Sequence, residues 1–181
     1  MIQTARLSIK EYHQIVASGA LGSRRIELLN GELIEVSPET PYHANRNNRL
    51  FKYLLAQFDS LADVRSAHPI TLMDSEPQPD IALAQLPENR YDTRHPGPGD
   101  LYLVLEVSYS TLEYDLGRKR EIYEAAGICD YWVLDLRDRR LHVFGDLVEG
   151  TYQQRRELVT GAVSMSAFPQ VQLSVARLIG S

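Results

Sequence analysis

The stretch Leu101-Tyr-Leu-Val-Leu-Glu-Val107, followed by Asp115 to Gly127 and then Tyr131-Trp-Val-Leu-Asp135, reads as strand, helix, strand. The first run is apolar at nearly every position. That is the pattern of a strand covered on both faces, not one with a solvated side. Between the two runs, apolar residues recur at helical spacing, with Asp115 as a helix N-cap and Gly127 as a terminator. The helix should pack back beside the strand that precedes it.

Outward from this centre the punctuation is clear. Upstream, Pro79-Asp-Ile-Ala-Leu-Ala84 reads as a short strand opened by Asp80, and Val64 to Leu72 as another. Pro41 to Phe58 reads as a helix with Asn47, Leu50 and Leu54 on one stripe. Asn30-Gly31, set between two alternating apolar runs in Arg25 to Val36, predicts a β-hairpin. Leu7 to Ala20 predicts a first helix, capped by Ser8 with Glu11 completing a capping box. Downstream, Leu136 to Arg140 is a turn and Leu141 to Phe144 returns, while Tyr152 to Ile179 mixes strands with a last turn or short helix. Residues 85–100 carry Pro87, Pro96, Gly97, Pro98 and Gly99 and predict a long loop. The expected fold is α/β (α+β), a mixed sheet flanked by helices with an N-terminal helix and hairpin. Its 181 residues fit a single domain spanning 1–181.

Composition bounds the function. One cysteine, Cys129, excludes an internal disulfide and suits a reducing cytoplasm. The opening MIQTARLSIKEYHQ lacks the pattern of a signal peptide, and no apolar run approaches the roughly 20 residues of a membrane span. A cytoplasmic protein without a membrane partner is expected. The net charge of −5 argues against a nucleic-acid coat or architectural protein. It does not argue against an enzyme whose acids hold a cation. Among 19 basic residues only Lys10, Lys52 and Lys119 are lysines, so a lysine inside Arg118-Lys119-Arg120 invites a reason.

Two acids stand where a strand should be apolar. Glu106 lies near the end of the most hydrophobic strand, and Asp80 opens the strand after Pro79. A carboxylate there is costly to bury unless paired or bound to metal. Asp80 and Glu106 on neighbouring strand ends suit Mg²⁺ or Mn²⁺, with the Val107 carbonyl as a third oxygen. The plain alternatives are that Asp80 caps a turn and Glu106 pairs with an arginine. On a wheel of roughly 100° per residue, Lys119 falls in the apolar arc of Leu116, Ile122, Tyr123 and Ala126. It either points its ammonium at the acid pair or snorkels to solvent.

These residues, read in order, resemble the Uma-two family of restriction endonucleases within the PD-(D/E)XK nuclease superfamily. The resemblance is carried by Glu27-Leu-Leu-Asn-Gly-Glu-Leu33, Ser37-Pro38 with His43, and Pro79-Asp80-Ile81. It continues through Leu105-Glu-Val-Ser-Tyr-Ser-Thr111, Asp115, Lys119, Tyr123, Gly127 and Asp130-Tyr-Trp-Val-Leu-Asp135. It implies a restriction-endonuclease-like fold and divalent-metal-dependent cleavage of DNA. Asp80 and Glu106 would then be the metal-binding acids, Glu27 an additional acid and DNA the partner. It also implies a homodimer whose two sites reach two strands, and it calls for no small-molecule cofactor. The lysine usual two residues after the strand acid is Ser108 here, and Lys119 is its natural replacement. The alternative is a nuclease-fold module that binds nucleic acid or a protein without cutting.

Five further residues have open readings. Glu27 sits beside Arg24 and Arg25, so a surface salt bridge competes with a site role. His43 is a ligand, a phosphate contact or a hydrogen bonder at a helix start. Asp115 caps its helix. Trp132 is core, and Tyr131 could stack on a base only if exposed. Arginines at 24–25, 118–120, 137–140 and 155–156 are candidate phosphate contacts or solvated faces.

Overall fold

A computed structural model describes residues 4–180. Helix α1 (Ile9–Ala17) leads into the hairpin of β1 (Ile26–Leu29) and β2 (Glu32–Glu35). Ser8 and Glu11 form the expected capping box, each accepting from the other's backbone N–H. The long helix α2 (Pro41–Phe58) follows, capped by Thr40 and carrying proline in its first turn. Strands β3 (Asp63–Ser66), β4 (Ile81–Ala84), β5 (Leu101–Ser108) and β6 (Tyr131–Asp135) come next. The connection from β5 to β6 carries one unbroken helical run: α3 (Leu112–Tyr114), a π-helical stretch (Asp115–Lys119) and α4 (Arg120–Ala125). Strands β7 (Arg140–Val148) and β8 (Thr151–Leu158), a small pair β9 (Ala162–Val163) and β10 (Leu173–Ser174), and α5 (Val175–Ile179) complete the chain.

The six-stranded mixed sheet has the order β3-β4-β5-β6-β7-β8. Only β5 and β6 are parallel. That pairing needs a crossover, which the helical connection supplies. Alternation along β5 sends Leu103, Leu105 and Val107 to one face, where Leu50, Leu54 and Phe58 of α2 and Leu178 of α5 cover them. Val104 faces the other way, among Ile122, Tyr123, Tyr131 and Leu29. Glu106 belongs by the same alternation to this second face, beneath α4 and the β1–β2 hairpin. Among the described residues, no helix is long and apolar enough to cross a membrane.

Three expectations change. The run from Val64 to Leu72 is a strand only as far as Ser66, because Ala67 turns left-handed at φ +53° and gives its N–H to the carbonyl of Asp80. Asp115 is not an N-cap. It lies inside the helical connection, which starts at Leu112. Tyr131 is fully buried between Tyr123 and Phe144 and has no face to offer a base.

Asn30 and Gly31 both take positive φ in the hairpin turn, as the Asn-Gly pair predicts. A Cβ on Gly31 would sit 2.7 Å from Cβ of Arg6 and 3.0 Å from the Leu7 carbonyl oxygen. Gly31→Ala is therefore expected to destabilise the protein by about 1–3 kcal/mol. A lowered urea midpoint with unchanged m-value is the readout; an unchanged midpoint would show that the segment ahead of α1 yields freely.

Candidate active site

The register of β4 on β5 pairs Ile81 with Leu105 and Ala82 with Val104. Continued by one residue, it sets Asp80 opposite Glu106, on the same face. Asp80 Oδ2 accepts the backbone N–H of Val107 at 2.7 Å, which ties the acid to the neighbouring strand. Both acids line one cavity of about 350 Å³, together with Glu27, His43, Asp115 and Lys119.

Lys119 is buried, and its Nζ donates to Glu106 Oε1 at 3.0 Å. The same oxygen accepts from the Tyr123 hydroxyl at 2.8 Å, one helical turn later. Lys119 Nζ also stands 3.6 Å from Glu27 Oε2. The ammonium thus lies between an acid of the hairpin and an acid of the central strand. Among the described residues, Glu27 makes no surface salt bridge. It is buried, its Oε1 accepts from the Gln78 backbone N–H at 3.1 Å, and Arg25 pairs with Glu39 instead. Asp115 anchors the start of the π-helical stretch: its Oδ2 accepts from Ser108 Oγ at 2.6 Å and Thr111 Oγ1 at 2.7 Å. Its carbonyl accepts from the Tyr131 hydroxyl. Ser108, where the resemblance calls for a lysine, serves to hold Asp115.

His43 does more than bond at its helix start. From the first turn of α2 its Nε2 faces the Val107 carbonyl oxygen at 2.5 Å and lies 3.4 Å from Asp80 Oδ2. Its Nδ1 is 3.5 Å from Glu39 Oε2. Glu39, His43 and Asp80 are close enough to share a cation. However, a nitrogen turned onto a carbonyl oxygen carries a proton and acts as a donor. The Val107 carbonyl, expected as a third metal oxygen, is thereby engaged by an imidazole.

Electrostatics set the state of these groups. Burial pushes the Glu106 carboxyl up to about 8, and Asp115, Asp80 and Glu27 add to the shift against the opposing pull of Lys119. Burial also raises Asp115. Burial alone would lower Lys119, but Glu106, Glu27 and Asp115 outweigh it and hold the ammonium protonated. The hydrogen bond that His43 donates to Asp80 raises the imidazole to about 9, against its partial burial, with the Val107 carbonyl and Glu39 helping. A group whose pKa is higher in the folded state stabilises the fold below its unfolded pKa and loses that contribution as pH rises through the folded one. In chelator, wild type should therefore exceed His43→Gln in stability by an amount on the order of 2 kcal/mol at pH 6. The gap should close by about pH 9, as followed by urea melts; a gap constant with pH would mean that His43 acts through packing alone.

The donor set fits a hard divalent cation. Glu27, Asp80, Glu106 and Asp115 bring their carboxyl oxygens to one cavity. Glu27 Oε2 is buried without a hydrogen-bond partner. Glu106 Oε1 is taken by Lys119 and Tyr123, which leaves Oε2 for a cation. Carboxylate oxygens are the ligands Mg²⁺ and Mn²⁺ prefer. Two contributors had no assigned contact in the sequence. Tyr123 stood only in the apolar arc and the family resemblance, although its i+4 spacing from Lys119 was a signal for its hydroxyl. His43 stood as a candidate with its role open, and its reach to β5 had no signal, because it depends on how α2 crosses the strand ends.

A mixed sheet with acids at adjoining strand ends, and a crossover helix returning a lysine to them, defines a nuclease-like α/β fold. The crystal structure of "a putative nuclease belonging to DUF820" from Anabaena variabilis ATCC 29413 matches with a TM-score of 0.71 at 14% identity, over 87% of this chain and 90% of that one. The family model Uma2, described as "Putative restriction endonuclease", matches residues 9–176. The chain belongs to that family. No curated protein matches the chain.

Proposed function

We propose that the chain is a Mg²⁺- or Mn²⁺-dependent endonuclease that hydrolyses DNA phosphodiester bonds, working as one domain across residues 1–181. The observation that carries this reading is the buried Lys119 ammonium, set 3.0 Å from Glu106 and 3.6 Å from Glu27 at the acid cavity. Asp80 and Glu106 would hold the metal, with Glu27 assisting through a second ion or a water. A divalent ion held there would neutralise charge on the phosphodiester and make a nearby water easier to deprotonate. Lys119, a compact point charge, orients the attacking water or offsets charge developing on the phosphorus oxygens. Tyr123 holds Glu106 Oε1, and Glu106 and Glu27 keep the ammonium aimed. His43 fixes the Val107 carbonyl and Asp80 across the strand ends. A homodimer would bring two such sites to two strands.

The test is nicking of supercoiled plasmid with Mg²⁺ or Mn²⁺, beside calorimetric titration of the metal. Wild type is expected to bind metal and nick, and Asp80→Ala to do neither. Metal binding that survives Asp80→Ala would remove this site from the mechanism. Folded, metal-bound wild type that leaves DNA intact would support a module that binds without cutting.

A further inference from the structure

Tyr42, Tyr109 and Arg137 meet at the rim of the acid cavity although they come from three separate segments. Tyr42 lies in the first turn of α2, beside His43. Tyr109 follows β5, three residues after Glu106, and lines the cavity. Arg137 lies in the turn after β6. Strands β5 and β6 run parallel with Ser108 paired to Asp135, so their C-terminal ends lie side by side. The two tyrosine rings meet edge-on, 5.9 Å apart at 72°. The Arg137 guanidinium stands 5.1 Å from the centre of the Tyr109 ring.

Both rings are nonetheless left in water, Tyr42 51% and Tyr109 43% exposed. Core packing does not explain an aromatic pair held at the surface with a cation on it. Arg137 makes no ion pair among the described residues. Other arginines on the site's side of the sheet are tied up, Arg25 on Glu39, Arg118 on Glu32 and Arg120 on Glu124.

We propose that Tyr42 and Tyr109 form a stacking platform for one unpaired nucleobase, with Arg137 on a neighbouring phosphate, so that the substrate class is single-stranded or locally unpaired DNA. This rests on the nuclease reading of the adjoining cavity. A base inside a duplex has both faces covered by its neighbours, and only a base out of the stack can use an aromatic surface. Stacking accepts any base, because every base has a π-face. Affinity for plain duplex comes instead from many Lys and Arg contacts to phosphate. This chain has a net charge of −5, and Arg25, Arg118 and Arg120 on the site's side are paired with acids.

The test is fluorescence anisotropy with labelled oligonucleotides of one length, fully paired, centrally mismatched or single-stranded, in Ca²⁺ buffer, followed by cleavage of the same set with Mn²⁺. Single-stranded and mismatched DNA are expected to bind about tenfold tighter than duplex, the weight of one base–aromatic stack. Tyr109→Ala should erase that preference and Tyr109→Phe keep it, both with unchanged thermal melts, since the ring is half exposed. Arg137→Ala should weaken all forms alike and reduce the salt slope by about one. Equal affinity for paired and unpaired DNA, a preference untouched in Tyr109→Ala, or no binding at all would overturn the platform. Duplex cutting without preference would overturn it while sparing the nuclease reading. A tyrosine-dependent preference without cutting would uphold the platform and count against catalysis.

Discussion

Lys119→Met should lower metal-dependent plasmid nicking on the order of 100- to 1,000-fold, the scale of removing one preorganised charge from a transition state. Lys119→Arg should recover little. A planar guanidinium cannot take the place of a compact ammonium held between Glu27 and Glu106. Metal affinity should survive both changes, because Asp80 and Glu106 remain, so kcat falls while the calorimetric isotherm persists. The decisive comparison is single-turnover nicking at saturating metal. A Lys119→Met protein that nicks at the wild-type rate would reduce this lysine to a structural counter-charge.

The second large effect is on stability and has a definite pH dependence. Without Lys119, the buried carboxyls Glu27, Glu106 and Asp115 lose their shared cation. Breaking a buried pair from one side costs about 3–5 kcal/mol. In chelator at pH 8 the Lys119→Met variant should be destabilised by about that much. Glu106 and Asp115 already have raised folded pKa values, Glu106 to about 8, and losing the ammonium raises them further. An acid with a raised folded pKa contributes stability at low pH and loses it as pH climbs from its unfolded value through the folded one. The deficit should therefore shrink towards pH 5, where the acids accept protons. The double variant Lys119→Met/Glu106→Gln should recover most of the loss at pH 8. Urea melts at both pH values decide it. A deficit independent of pH, unrelieved by the second substitution, would assign the cost to packing.

Much of this architecture could be read locally. The β5 run, the Asn30-Gly31 hairpin and the stripe on α2 each carry their own period or turn chemistry, and each forms as read. The pairing of Asp80 with Glu106 was legible because an acid in an apolar strand contradicts its surroundings. Lys119 was legible for the same reason on a helix. What local pattern did not show depends on distance in the chain. Its neighbours alone left Glu27 open between a surface pair with Arg24 or Arg25 and a site role, because nothing in its strand says that Gln78 and Lys119 close over it. His43 looked like a helix-start residue, because its partner Val107 lies 64 positions away. Asp115 looked like a cap, because an aspartate ahead of an apolar-periodic run is the usual start signal, and nothing local says that the helical run begins at Leu112. Strand β3 stops early at Ala67, whose left-handed backbone no alanine advertises.

The π-helical stretch from Asp115 to Lys119 has one more consequence, in the currency of insertions and deletions. Its wide turn is held at one end by Ser108 and Thr111 on Asp115 and at the other by Glu106 on Lys119. A π turn accommodates one residue more than the α-helix it interrupts, and such bulges gather at functional sites. Gly117 lies within the stretch with open space around it. Deleting it would let the helix close into regular turns, and everything downstream would rotate by about 100° relative to the Asp115 anchor. Lys119 and Tyr123 would leave Glu106 together, and neighbouring side chains would take their place. The identity of the residue facing the acid is thus governed by chain length as well as by substitution. A lysine can enter or leave such a site through a single codon gained or lost, with the strand that bears the acid untouched.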